Sequence, residues 1–133
     1  MNEQEMKERT KQFALRVIKL VAALPETRVG EVIGKQLVRS GTSVGANYRA
    51  ACRAKSKKDF VYKINVVEEE ADESLFWLEM IREASLLPAN RVDALLKEAD
   101  ELTAIMTATG RTAKQRMRAG RGSPDRGSPD RGS

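Results

Sequence analysis

Apolar residues recur along this chain at the three- and four-residue spacing of helices that bury one face. Met6, Phe13, Val17, Leu20 and Leu24 predict a first helix over about Glu3 to Leu24. Pro25 stops it, because the ring removes a backbone donor and clashes with the preceding turn. Ile33, Leu37, Val44, Tyr48 and Ala51 predict a second helix from Val29 or Glu31 to Ala54. A third begins near Lys57, with Ser56 as N-cap and Asp59 three residues on, and continues to about Leu86 ahead of Pro88. Its core stripe is Phe60, Ile64, Val67, Ala71, Leu75 and Leu78. A fourth follows Asn90 as N-cap, with Asp93 in its first turn and Val92, Leu95, Ala99, Leu102 and Met106 as its stripe. It is expected to end near Gly110, with frayed helix to Arg118. Three short connections make sequence neighbours antiparallel, so the expected fold is all-α, an antiparallel up-down four-helix bundle over residues 1–118. Residues 119–133 are expected to be a disordered tail. Its RGSPD repeat from Arg121 onward has no apolar residue to offset the entropy of ordering.

Composition agrees with this pattern. The chain has 133 residues, 41% apolar, 32% charged and only 5% aromatic, which favours long helices in one domain. The single cysteine, Cys52, has no internal disulfide partner, so a reducing compartment is expected. The charged N-terminus has no apolar signal core, and no apolar run approaches the roughly 18 residues of a membrane span. The expected location is the cytoplasm, away from membranes.

Charge is distributed in blocks. Residues 28–63 carry nine basic and two acidic groups, residues 64–106 three basic and eleven acidic, and residues 107–133 seven basic and two acidic. On the second helix, Lys35, Arg39, Arg49, Arg53 and Lys57 fall within roughly 40° of one line at 100° per residue, opposite the core stripe. Such a stripe is either an ordinary solvated face or a surface for phosphates or an acidic partner. The absence of any acidic residue between Glu31 and Asp59 raises the second reading. The same block could also meet an acidic block on a neighbouring subunit.

Two glycines, Gly41 and Gly45, interrupt the middle of this helix, at a cost of roughly 1 kcal/mol each relative to alanine. They favour close helix packing over a phosphate loop, since the preceding strand and following lysine of such a loop are missing. Ser40, Ser43 and Asn47 are then expected to make buried hydrogen bonds.

The third helix carries a second apolar set, Tyr62, Val66, Phe76, Trp77 and Met80, roughly opposite its core stripe. This set is either a widened core or a subunit interface, and its aromatic and Met content favours the interface. The acidic run Glu68, Glu69, Glu70, Asp72 and Glu73 has no His to complete paired metal sites, and favours a solvated or inter-subunit face. No catalytic residue, metal site or cofactor is expected. Cys52 has basic neighbours but no base partner, and is expected to be a small buried residue.

The segment from Gln36 to Phe60, QLVRSGTSVGANYRAACRAKSKKDF, and its continuation Asn65 to Leu78, NVVEEEADESLFWL, resemble the four-helix-bundle family of the 23S ribosomal RNA intervening-sequence protein. The resemblance covers about residues 5–110 and is carried by the Arg39-to-Asn47 core and the Glu-Ala-x-Glu-Ser-x-x-Trp-Leu pattern ending at Leu78. It implies a bundle that assembles into a homopentamer. The family is similar to the accessory variability protein of diversity-generating retroelements, which binds reverse transcriptase and nucleic acid through a basic surface. The resemblance places Arg39, Ser40, Ser43 and Asn47 in a structural signature and supplies no catalytic residue. The expected function is therefore non-enzymatic: an oligomer that binds RNA or DNA, with RNA favoured, through the basic face of the second helix and the tail arginines. The alternative is a protein-interaction scaffold whose charged faces pair between subunits.

Overall fold

The structure, a computed structural model, describes residues 1–121. It contains four helices: α1 (Glu3–Ala22), α2 (Arg28–Cys52), α3 (Lys57–Glu83) and α4 (Ala89–Arg121). Three of them begin on a side-chain cap. Asn2 Oδ1 accepts from the Glu5 amide at 2.8 Å while the Asn2 amide donates back to Glu5 Oε1, a reciprocal capping box. Thr27 caps α2 by accepting from the Gly30 amide, and Ser56 caps α3 by accepting from the Asp59 amide, both at 3.0 Å. Each such cap contributes about 1 kcal/mol.

α1 and α2 each end two residues before expectation, at Ala22 and Cys52, α2 begins at Arg28, and three further helix ends differ with a structural reason. First, α3 stops at Glu83 instead of Leu86. The Leu86 amide donates to the Ile81 carbonyl and the Ser85 amide to the Arg82 carbonyl, which closes the end of the helix with Ser85 at φ 56°. Second, α4 starts at Ala89, directly after Pro88, so Asn90 lies inside the helix and is not its cap. Asp93 falls beyond the first turn and instead holds Arg82 of α3 at 2.8 Å. Third, α4 runs through Gly110 to Arg121. Gly110 is buried against α3, where a Cβ would stand 3.3 Å from Asn65 Oδ1, so this glycine permits close approach and does not end the helix. The expected tail thus begins with three residues that are helical, and its remainder, Gly122 to Ser133, lies outside the described residues.

Sequence neighbours pack side by side, α4 returns against α1, and the diagonal pairs have no close backbone approach. The result is the antiparallel up-down bundle. Phe13, Val17, Leu37, Val44, Ile64, Val67, Leu78, Leu102 and Met106 have no solvent exposure. Burying each stabilises the fold by roughly 1.5–3 kcal/mol relative to leaving it in water. The expected stripes of α1 and α4 are buried in full, whereas Ile33, Phe60 and Leu75 are only half-buried at the core edge. Val61 and Ile81, outside the expected stripe, are buried instead.

At the α1–α2 contact, glycines of α2 stand against side chains and backbone of α1. A Cβ on Gly34 would stand 2.9 Å from Val21, one on Gly41 would stand 2.9 Å from both methyls of Val17, and one on Gly45 would stand 3.3 Å from the Thr10 carbonyl oxygen. These positions lie along one line of α2, so a side-chain-free seam receives α1. On its other flank α2 meets α3 through two buried hydroxyls, with Ser74 Oγ donating to Ser40 Oγ at 2.9 Å. α1 is tied to α4 by Arg9, whose guanidinium forks onto Glu98 at 2.8 Å and reaches Glu101 at 2.9 Å. Among the described residues no buried side-chain nitrogen or oxygen lacks a partner.

Gly45→Leu is expected to lower unfolding stability by about 1–3 kcal/mol, since the side chain must displace the α1 backbone. Thermal melting checks this, and an unchanged midpoint would contradict the close contact. Ser85→Gly is expected to raise stability by up to about 1 kcal/mol, because glycine adopts the left-handed conformation without a Cβ clash. Chemical denaturation of the two proteins measures the difference.

Candidate nucleic-acid interface

The five cations expected to share one stripe do not occupy one surface. Arg39 is held by α3: its guanidinium bonds Glu70 at 3.3 Å and makes a short bond to Glu73. Lys35 is exposed near the α1–α2 turn, in a cleft that also contains Glu26 and Glu31. Lys57 is the first residue of α3, because α2 ends at Cys52 and the chain turns before reaching it. Of the five, Arg49 near the end of α2 and Arg53 just past it line one groove, both exposed.

Those two arginines line a groove of about 460 Å³ between α1 and α2. The opposite wall is α1, which contributes Lys7, Lys11 and Glu8. Gly45, Ala46 and Thr42 lie between the walls. Four cations therefore face one carboxylate. Glu8 accepts a hydrogen bond from Gln12 at 2.8 Å, and Lys7 lies 3.9 Å from Glu3. Lys11, Arg49 and Arg53 have no ion pair among the described residues. Sequence reasoning missed Lys7 and Lys11 because residues 1–27 are nearly neutral overall, with five basic and four acidic groups. The available signal was their i, i+4 spacing on the side of α1 away from its core stripe.

The second apolar set of α3 is split, with Tyr62 and Phe76 in solvent and Trp77 packed against the edge of the core. Tyr62 is 67% exposed and Phe76 48% exposed, while Val66, Trp77 and Met80 are half-buried. Phe76 and Trp77 meet edge to face with ring centroids 5.0 Å apart. The Trp77 indole donates to Glu73 at 3.1 Å, on the same carboxylate that holds Arg39. Val29 and Val32 at the start of α2 are also exposed, 54% and 58%.

Of the signature residues, Ser40 is fully buried against Ser74. Ser43 and Asn47 are half-buried and bond within α2, Ser43 Oγ donating to the Arg39 carbonyl at 2.7 Å and Asn47 Nδ2 to the Ser43 carbonyl at 2.8 Å. Ser74, the partner of Ser40, is the serine of the Glu-Ala-x-Glu-Ser-x-x-Trp-Leu pattern, but nothing in that pattern pairs it with Ser40.

The acidic run is partly consumed within the chain. Glu70 and Glu73 bind Arg39, and Glu68 accepts from Thr107 at 2.6 Å. No group of three or more His, Cys, Asp or Glu could hold a metal among the described residues. Cys52 is half-buried, and burial pushes its thiol above the ordinary range, so the neighbouring arginines do not activate it. No helix among the described residues is long and apolar enough to cross a membrane.

Fold and groove together describe an all-α bundle with a basic groove between α1 and α2. Residues 2–108 match the family described as the 23S rRNA-intervening sequence protein. The chain belongs to that family. It is similar to a crystal structure from Bacteroides thetaiotaomicron, described as a protein of unknown function from the S23 ribosomal protein family. The two share 30% identity with a TM-score of 0.76, over 84% of this chain and 99% of that one. Comparison with curated proteins finds no match.

The Arg39–Glu73–Trp77 contact gives a pH test. The hydrogen bond from Arg39, and then that from Trp77, holds the Glu73 carboxyl below its usual value of 4.5. A depressed carboxylate contributes stability that is present above the usual value and is lost as pH falls through the depressed one. Trp77, the only tryptophan, should therefore change its fluorescence at a pH below 4.5. Glu73→Gln should abolish that transition, and an unchanged titration would contradict the contact.

Proposed function

We propose that this protein is a non-enzymatic, cytoplasmic binding protein that holds the phosphate backbone of nucleic acid in the α1–α2 groove. The observation that carries this reading is the convergence of Lys7, Lys11, Arg49 and Arg53 on one open groove beside a single carboxylate. Phosphates attract such a surface at long range, and binding releases their condensed counterions. The absence of an aromatic residue in the groove favours weak sequence dependence. RNA is favoured over DNA because the family's description names a ribosomal RNA. Assembly into a homo-oligomer, a homopentamer by family resemblance, is part of the proposal. It is supported by the exposed Tyr62 and Phe76, and would present several grooves to one strand. A scaffold whose charged faces pair between subunits draws less support, because Arg39, Glu70 and Glu73 already pair within one chain.

Arg49→Glu combined with Arg53→Glu tests the groove. Binding of a mixed-sequence RNA should weaken, and the slope of log affinity against log salt should flatten by about 0.7 for each lost phosphate contact on a single strand. Light scattering should return the same assembled mass for wild type and variant. Wild-type protein that binds no nucleic acid at low salt would overturn the binding reading. A wild-type mass of one chain would overturn the assembly.

A further inference from the structure

The up-down topology places the end of α2, the start of α3 and the end of α4 at the same pole of the bundle as the groove. There a second cleft of about 400 Å³ opens beside the α2–α3 turn. Its walls include Lys55, Lys57 and Arg116, all exposed, together with Phe60. Phe60 is half-buried: part of it packs on the core, and the rest borders this cleft and a neighbouring one of about 340 Å³ between α3 and α4. Arg116 and Ala113 border both clefts as well. Among the described residues Phe60 is the only aromatic residue lining either cleft, and three cations and one carboxylate, Glu3, accompany it.

We infer that this pole of the bundle takes an unpaired base of a single-stranded nucleic acid against Phe60, with Lys55, Lys57 and Arg116 on the flanking phosphates. The inference rests on the proposed groove binding and extends it. Arg53 ends the groove one residue after α2, and Lys55 and Lys57 border the cleft just beyond. A strand leaving the groove therefore meets the cleft within a few residues of protein chain. An aromatic wall serves only a base that has left its own stack, which a duplex does not offer. The cleft volume lies within the roughly 300–1,000 Å³ of sites that enclose small ligands, enough for one base and its sugar. The cations bind phosphate regardless of sequence, and the ring accepts any base face. The site thus selects strandedness and not sequence.

The test compares a short oligouridine with an RNA duplex at one salt concentration. Wild-type protein should bind the single strand more tightly. Phe60→Leu, which retains apolar packing, should weaken the single strand by at least about fivefold, the lower end of the loss when a stacking aromatic is removed. It should leave the salt slope and duplex binding unchanged. Irradiation of wild-type protein with a 5-iodouridine oligonucleotide should cross-link Phe60, a readout independent of any variant's folding. Equal affinity for both RNAs, or cross-links that avoid Phe60, would overturn the inference while leaving the groove reading intact. Absence of binding to either RNA would overturn both.

Discussion

The close approach of α1 to α2 shapes this bundle. Removing side chains at Gly34, Gly41 and Gly45 lets the two backbones come together, with Val17, Val21 and the Thr10 carbonyl occupying the space. Each glycine inside a helix costs roughly 1 kcal/mol of intrinsic stability, so the cost is offset only by the packing it permits. The same approach brings Lys7 and Lys11 of α1 alongside Arg49 and Arg53 of α2, with Gly45 in the lining of the groove between them. Packing and the candidate binding surface therefore depend on one feature.

On its opposite flank α2 is joined to α3 by polar contacts. Ser40 and Ser74 satisfy each other in the interior, and Arg39 forks onto Glu70 and Glu73 at the surface. Buried hydroxyls without partners would each cost roughly 1–3 kcal/mol, so this pair constrains the register of the two helices. The ion pair is half-exposed and adds little stability of its own. Its larger consequence is electrostatic. It neutralises the middle of α2 and leaves the free cations concentrated at one pole, where α2 ends, α3 begins and α4 extends past Gly110.

The outward aromatic face of α3 and the exposed valines at the start of α2 lie away from the groove wall. A bundle of this kind can bury that apolar surface against another copy while the α1–α2 groove stays open. Exposed apolar patches rimmed by charge commonly mark association surfaces. The proposed function divides the molecule between an association face on α3 and a phosphate surface on α1 and α2.

Periodicity along the chain determined the four helices, their antiparallel order and most of the core, because each stripe faces inward whatever its neighbours are. The stripes of α1 and α4 and the Ser56 cap were legible for that reason. The close packing at Gly41 and Gly45 was legible too, since two glycines in a helix need a compensating contact. Helix ends were less so: Gly110 reads as a stop in isolation, whereas its place against Asn65 and Ile64 of α3 gives the glycine a packing role inside α4. The binding surface was decided by tertiary structure. A single helix's angular pattern placed Lys35, Arg39, Arg49, Arg53 and Lys57 together; the expected start of the third helix near Lys57 already set that residue apart, and α3 supplied carboxylates to Arg39. Lys7 and Lys11 reached the groove only through the packing of α1 on α2. One helix's periodicity reports which side chains point inward, whereas a surface built from two helices is set by how their backbones pack.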